Sequence, residues 1–349
     1  MNKKILYVEF GTSHTEILYS FLKLLTPENQ VHLLINEKSK SRIKFELPEV
    51  KISFSNENKL IDQFFKMKKS IQPDLIIFNS AQGKLIRNLC LRLMFDKTPI
   101  IGIHHNPENI VASFTQKLIH FKIKKYIVLA DFIQRYLISQ NVKSKIASIY
   151  AVYYPPFEPA ALGLNDQYIS IPGVLEQDRR DYLGLVDLVE RFDKHLPANI
   201  KFVLLGSCKT HDGELIYKKI VDKRIEDRFV LFDKYVDDRV LLSYIKNSLA
   251  IMPLLHPGTR WFDKYFETKI SGAYSLAFGF KKKLLMHQVF SEKEEFKAQG
   301  VFYTQQHFGE ELLYHLFATS LDTENQNFVT DLKFEFSFQK KKLFKFIDE

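Results

Sequence analysis

Residues 248–290, SLAIMPLLHPGTRWFDKYFETKISGAYSLAFGFKKKLLMHQVF, contain one full turn of the pattern from which this chain is built. The apolar run at 249–255 reads as a buried strand. A polar loop with Pro and Gly follows. A helical pattern then opens at Glu267-Thr268-Lys269 and stops near Gly279, and a short apolar run at 284–286 closes the unit. A strand, a loop with a carboxylate and a cation, and a helix N-terminus make a place for an anionic ligand that carries hydroxyl groups. The helix end offers free N–H groups to phosphate, and a carboxylate accepts hydrogen bonds from sugar or ribose hydroxyls. Late in a long α/β chain, this combination points to a nucleotide-sugar site.

The alternation runs outward from there to both ends. In the second half, strands are expected at 168–171, 201–205, 229–232, 249–252, 284–286 and 301–303. Helices are expected over 182–194, 212–223, 237–246, 269–278 and 309–318. In the first half, strands at 5–10, 31–35, 75–78, 100–104, 126–129 and 142–149 alternate with helices over 15–25, 59–70, 84–95, 112–121 and 132–139. Asp131 reads as an N-cap, and 36–56 as a polar spacer. Such alternation argues for open parallel sheets covered by helices on both faces. At 153–159, YYPPFEP interrupts it, because three prolines in five residues continue neither a helix nor a central strand. Residues 155–165 therefore read as an interdomain linker. A length of 349 residues suits about two domains. The expected fold class is α/β, with two doubly wound Rossmann-like domains facing a cleft, since ligands bind outside the carboxyl ends of such strands.

Composition narrows the classes. An apolar share of 46% and an aromatic share of 14% exclude a disordered chain. Cys90 and Cys208, far apart and each in an apolar context, read as reduced core residues. The run at 5–10 contains Glu9 and is too short for a signal-peptide core. No stretch reaches the roughly 20 apolar residues that cross a bilayer. The expectation is a cytoplasmic protein that can sit peripherally at the inner face of a membrane. The charge is lopsided: residues 1–160 hold 23 Lys+Arg against 13 Asp+Glu, net +10, and the remainder holds 27 against 28, net −1. The basic half suits an anionic partner. Three stretches there, KLIDQFFKMKKSI, KLIRNLCLRLMF and FTQKLIHFKIKKY, mix apolar residues with Lys or Arg, as a surface resting on anionic lipid would. No nucleic-acid module is present, so nucleic acid is not an expected partner.

Several segments resemble one family in order. ISIPGVLEQDRRDYLGLVDLVERF, IKFVLLGSC, VLFDKYVDDRVLLSYIKNSLAIMPLL and YFETKISGAYSLAFGFKKKLLM resemble the nucleotide-sugar domain of GT-B glycosyltransferases, particularly retaining family four of bacterial polysaccharide synthesis. EFGTSHTEI, PIIGIHH and KYIVLADFIQRYLI resemble its acceptor domain more loosely. The resemblance implies an acceptor-binding domain at 1–158 and a nucleotide-sugar domain at 166–332. It also implies a C-terminal segment, 333–349, that can cross back to the first domain. Two positions depart from that family. Ser275 stands eight residues after Glu267, where a second glutamate is usual, and Val174 rather than arginine follows Gly173.

The candidate residues follow. Glu267, at the expected helix opening, would accept from donor hydroxyls. Lys269, Ser271 and Gly272 would bind a diphosphate through the ammonium and the helix N–H groups. Arg179 and Arg180, after the first strand of the second domain, would offset the charge of the leaving diphosphate. Gly173 and Gly206 end strands beside the donor. On the acceptor side, His104 and His105 follow a strand end and suit acid–base or sugar contacts near neutral pH. Gly11, Thr12 and His14 form the first strand–helix turn, where glycine permits close backbone approach and Thr12 or Ser13 can cap the helix. The catalytic set is His104, Arg180 and Glu267. Asp237-Asp238 reads as a helix cap, and no metal site is expected. No cofactor is expected either, a nucleoside diphosphate sugar serving as donor substrate. The resulting reading is a metal-independent, hexosyltransferase-like enzyme that moves a sugar to a polysaccharide or lipid-linked acceptor with retention. The alternative is a non-catalytic sugar-nucleotide-binding or partner subunit on the same fold. An NAD enzyme lacks its glycine fingerprint here.

Overall fold

The computed structural model describes residues 2–163, 165–308 and 332–349. The helix expected over 309–318 lies outside the described residues. The chain divides into two compact units, Met1–Pro155 with Leu332–Glu349, and Pro156–Asp331.

In the first unit the strands are β1 Lys4–Glu9, β2 Gln30–Asn36, β3 Val50–Ser55, β4 Leu75–Phe78, β5 Ile100–Ile103, β6 Lys125–Val128 and β7 Lys145–Ser148. They pair in the order β3-β2-β1-β4-β5-β6-β7, every pair parallel. The central strands are covered on both faces. Their sequences are accordingly unbroken apolar runs such as Leu75–Phe78, all buried, rather than alternating ones. The spacer expected at 36–56 contains β3, an edge strand with only Val50 fully buried. The helix expected over 112–121 is two, Pro107–Ala112 and Phe114–Lys122. Ser113 is extended between them, and its side chain caps the second at Gln116 N. Asp131 is not the N-cap of its helix. Ala130 occupies that position, and Asp131 Oδ1 accepts from Ser148 Oγ and from Lys342 Nζ. The last helix, Phe336–Asp348, packs on this unit against helix Leu18–Leu25. Leu343 and Phe346 are buried there, Gln339 accepts from Tyr150 N, and Lys340 pairs with Glu28 at 2.6 Å.

The second unit repeats the plan with β8 Gln167–Pro172, β9 Ile200–Ser207, β10 Phe229–Phe232, β11 Ser248–Ile251, β12 Lys283–His287 and β13 Gly300–Tyr303. The order is β10-β9-β8-β11-β12-β13, again parallel throughout. Ile169, Ile171, Phe202 and Leu204 from the sheet meet Tyr182, Leu185 and Val189 of helix Tyr182–Phe192 in its core. The segment expected as a free linker is fastened to helix Asp238–Asn247 of this unit. Arg239 donates to the carbonyls of Glu158 and Pro159, and Ala160 N donates to Ser243 Oγ. Asp237 caps that helix at Arg239 N, as the sequence suggests. Cys90 and Cys208 are both buried free thiols.

Each sheet reverses its strand order once, between β1 and β4 in the first unit and between β8 and β11 in the second. At such a point the connections leave to opposite faces and a crevice opens at the carboxyl ends of the two strands, where ligands bind in this architecture.

Candidate functional site

At the β8–β11 reversal, β8 ends at Pro172 and the chain turns through Gly173 at φ 129°, a left-handed-side conformation suited to glycine. The turn is packed on β9. A side chain at Gly206 would meet the Gly173 carbonyl at 2.4 Å and Leu175 Cδ1 at 2.3 Å, so Gly206 serves close approach of the loop. A side chain at Gly173 would meet the Arg180 guanidinium at 2.7 Å. Arg180 therefore lies flat over the turn, with only 7% of its surface exposed.

The two arginines have separate fates. Arg179 is half-exposed, pairs with Glu176 at 2.6 Å and lies 5.5 Å from the Trp261 ring centroid. Arg180 has no carboxylate partner among the described residues, and its Nε is buried without a hydrogen bond. Tyr274, in the helix that follows β11, also buries its hydroxyl without a partner. Burial holds that phenol's pKa well above the usual tyrosine value, with the Arg180 charge working the other way. Buried polar groups are nearly always satisfied, and a buried cation is strongly destabilising without a counter-charge. The Arg180 guanidinium does meet the Tyr182 hydroxyl, but it finds no carboxylate, and its charge beside two unsatisfied polar atoms at one strand reversal marks a cradle for an anion.

The helix after β11 does not run as expected. The helix expected over 269–278 starts three residues later, as Gly272–Gly279, and the stretch before it, expected as a loop, contains a short helix, Phe262–Glu267. Glu267 consequently closes the first helix instead of opening the second, and it is exposed. Lys269 lies between the two, its ammonium 5.0 Å from the centroid of Trp261. Ser271 is the buried N-cap, and Gly272 is the first helical residue, with open space where a side chain would stand. Ser271 already takes up the amides of Ala273, through Oγ, and of Tyr274, through its carbonyl, so the opening offers a ligand the backbone at Gly272.

A second group was not anticipated. His256, 1% exposed, holds Asp181 Oδ2 at 2.7 Å through Nδ1 and Tyr303 Oη at 2.6 Å through Nε2. Asp181 also caps helix Tyr182–Phe192 at Gly184 N and accepts from Gln177. Burial alone would raise the Asp181 pKa. The hydrogen bond from His256, the positive charge that ring carries when protonated, and the hydrogen bonds from Gly184 and Gln177 outweigh it and hold the carboxyl below its ordinary value. An ionised Asp181 only accepts, so Nδ1 is the donor there and Nε2 is left to meet the Tyr303 hydroxyl. This relay locks the loop after β8 to the loop after β11.

In the first unit, the β1–β4 reversal gathers a different set. Glu9, fully buried at the end of β1, accepts from Asn79 Nδ2 and Ser80 Oγ at 2.6 Å each and from Gly11 N at 2.5 Å. Burial raises its pKa against those bonds. His14, at φ 67°, stacks on His105 with ring centroids 3.6 Å apart. His105 meets the Asn79 carbonyl at 2.7 Å through Nε2. A carbonyl only accepts, so His105 carries its proton there and presents Nδ1 as an acceptor. Burial first, then the charge of His14, hold its pKa well below the ordinary histidine value. Thr12 is exposed, its carbonyl accepting from Arg42, and it caps nothing. His14 occupies the N-cap position of Thr15–Ile17 and makes no side-chain cap bond, so the expected Thr12 or Ser13 cap is absent. His104, 1% exposed, points inward against Tyr126, with Nδ1 accepting from Asn106 N. Burial drops its pKa to about 3.

Gly11, His14 and His105 thus converge, whereas His104 faces the core and Thr12 the solvent. Glu9, Asn79, Asp181, His256 and Tyr303 were missed. Glu9 carried a signal, a carboxylate inside an otherwise apolar strand. The Asp181–His256–Tyr303 relay carried none, since its members lie far apart in sequence. Among the described residues, no three His, Cys, Asp or Glu side chains gather as a metal site.

No family model matches the sequence, and no curated protein matches it. Solved structures do match. A glycosyltransferase from Rickettsia africae ESF-5 superimposes with a TM-score of 0.62 at 14% identity, over 99% of this chain and 97% of that one. The lipopolysaccharide outer core galactosyltransferase WaaB, in its apo form, gives 0.60 at 15% identity, over 99% of both chains. S. aureus MnaA, solved with UDP, gives 0.56 at 13% identity, over 99% of this chain and 96% of that one. At that identity the likeness is one of fold, and with the two parallel sheets it establishes that this chain has the two-domain, Rossmann-like GT-B fold.

Proposed function

We propose that the protein is a glycosyltransferase that moves a sugar from a nucleoside diphosphate donor to a glycan or lipid-linked acceptor. The observation that carries this reading is Arg180, a buried guanidinium without a carboxylate, laid over the Gly173 turn where the second sheet reverses. A diphosphate is the ligand class that answers a buried cation and an open helix start at Gly272 together. The fold neighbours support the class, being a glycosyltransferase, a galactosyltransferase and a protein solved with UDP.

In this reading the second unit holds the donor. Arg180 and the Gly272 amide take up the charge that grows on the diphosphate as its bond to the sugar breaks. Stabilisation of that charge by preorganised groups is the main electrostatic task when no divalent ion assists. The bond to the acceptor oxygen forms, and the acceptor's proton leaves to a phosphate oxygen. The retained configuration and the hexose donor rest on the sequence resemblance to family four. Gly173, Gly206 and the Asp181–His256–Tyr303 relay shape the cradle, and Glu267, exposed at the end of the short helix, is the carboxylate that would accept from donor hydroxyls. In the first unit, Gly11, His14 and His105 receive the acceptor.

The single tryptophan, Trp261, neighbours Arg179, Lys264 and Lys269 and reports binding. Titration with UDP, GDP and ADP is expected to change its fluorescence and raise the melting temperature with at least one of them. Arg180→Met is expected to weaken that binding by tenfold or more, while the ligand-free protein gains about 1 kcal/mol or more, because an unpaired buried charge is removed. If no nucleoside diphosphate binds, or if Arg180→Met binds as well as the parent, the reading fails. Binding without sugar transfer or donor hydrolysis across the common donors would instead select the non-catalytic subunit.

A further inference from the structure

The first unit contains a cavity of about 760 Å³ at the amino ends of β6 and β7, lined by Lys117, His120, Lys124, Lys125, Lys143 and Lys145 among others, with no acidic residue in its wall. Lys125 and Lys145 are the first residues of those strands, so the cavity opens at the sheet edge opposite to the Glu9–His105 cluster. Lys124 and Lys125 donate to carbonyls, of His120 and of Phe346. Among the described residues no carboxylate pairs with Lys117, Lys143 or Lys145, and His120 Nδ1 is buried without a partner. Lys125 already feels the charges of Glu349 and Asp348, but the four other ammonium groups around the opening repel one another unless an anion enters.

Beside this opening the exposed stripe of helix Phe114–Lys122 repeats aromatic and cation. Phe114, Lys117 and Phe121 follow at intervals of three and four residues, which places them on one helical face, and Lys124 is exposed just beyond the end of the helix. Phe114 is 74% exposed and Phe121 65%. Lys122 donates to the Asp96 carbonyl, which brings Phe95, 96% exposed, to the same end of the helix. Large aromatics interleaved with lysine are what an interfacial surface presents, the rings entering the acyl boundary and the ammonium groups meeting headgroup phosphates. No helix among the described residues is long and apolar enough to cross a membrane.

We propose that the lysine cavity and the Phe114–Lys124 stripe form a docking surface for an anionic lipid bilayer. The surface holds phosphates in the cavity while Phe95, Phe114 and Phe121 dip into the interface. It stands apart from the donor cradle and does not depend on the transferase reading.

The test is flotation of the full chain with vesicles of phosphatidylcholine, alone or mixed with phosphatidylglycerol, without any nucleotide sugar. Binding is expected to the mixed vesicles only and to fall as salt is raised. Lys117→Glu with Lys143→Glu is expected to lower affinity about tenfold or more, and Phe114→Ser with Phe121→Ser to lower it comparably. These side chains are exposed, so circular dichroism and melting should be unchanged, and Lys143→Ala replaces the double reversal if they are not. Equal binding to both vesicle types, or retention by both double variants, overturns the proposal. Saturable binding of free glycerol 3-phosphate without vesicle binding assigns the cavity to a soluble anion and overturns it as well. Because no donor is present, failure here leaves the nucleotide reading untouched, and the reverse also holds.

Discussion

Arg179 and Arg180 are adjacent and chemically identical, yet one is an exposed partner of Glu176 and Trp261 and the other a buried cation over a glycine turn. What separates them is the direction each takes from the loop after β8. The sequence puts Arg180 rather than Arg179 in the catalytic set, but nothing in it distinguishes a buried arginine from an exposed one. The two adjacent histidines divide in the same way. His104 turns into the core and His105 toward His14 and Asn79. The burial of His104 has a measurable consequence. Its folded pKa is about 3, against an ordinary value of 6.5. Between those values the unfolded chain binds a proton that the folded one does not, so stability is full above pH 6.5 and falls as pH drops toward 3. The slope is about 1.4 kcal/mol per pH unit from this residue alone. Urea unfolding at pH 7 and pH 5 should show the loss, and His104→Gln should flatten it. A variant with an unchanged slope would mean that His104 titrates normally.

At the scale of elements, the long apolar strands were legible because strands buried on both faces carry no polar residue to confuse the reading. β3 was not, since an edge strand with one fully buried residue looks like a polar spacer. The helix after β11 was misplaced by three residues. A carboxylate followed by a lysine resembles a helix opening, but Ser271, buried as the cap, sets the actual start. The Gly173 turn joins these elements, and its geometry is testable. Gly173→Ala places a methyl group 2.7 Å from the Arg180 guanidinium and strains a backbone at φ 129°. A loss of about 1–3 kcal/mol is expected, together with weaker nucleoside diphosphate binding, measured by thermal melting and Trp261 fluorescence. Unaltered binding in that variant would show that the turn does not position Arg180.

Across the whole molecule, one chain builds two sheets of the same winding and then returns its last helix to the first. The first unit is thus completed only when Leu332–Glu349 is in place. Leu343 is buried in that contact, and Leu343→Ala is expected to destabilise by about 2–5 kcal/mol, through lost burial and a residual cavity. Hydrogen exchange should quicken in β1 to β7 and stay unchanged in β8 to β13. Equal quickening in both units would contradict the division of the chain into two cores.

The alternation of apolar runs with helical periods determined the α/β class, the two-fold division near the prolines and most of the strands, because these depend on neighbours a few residues apart. It also placed candidate residues at strand ends, where such folds bind ligands. Only the tertiary structure decided which of those side chains converge. Glu9 meets Asn79 and Ser80 across some seventy positions, His256 joins Asp181 from the loop after β8 to Tyr303 at the end of β13, and Arg180 Nε is buried without a partner by what surrounds it. Burial and partnership are properties of packing between distant segments. Local sequence pattern has no access to them.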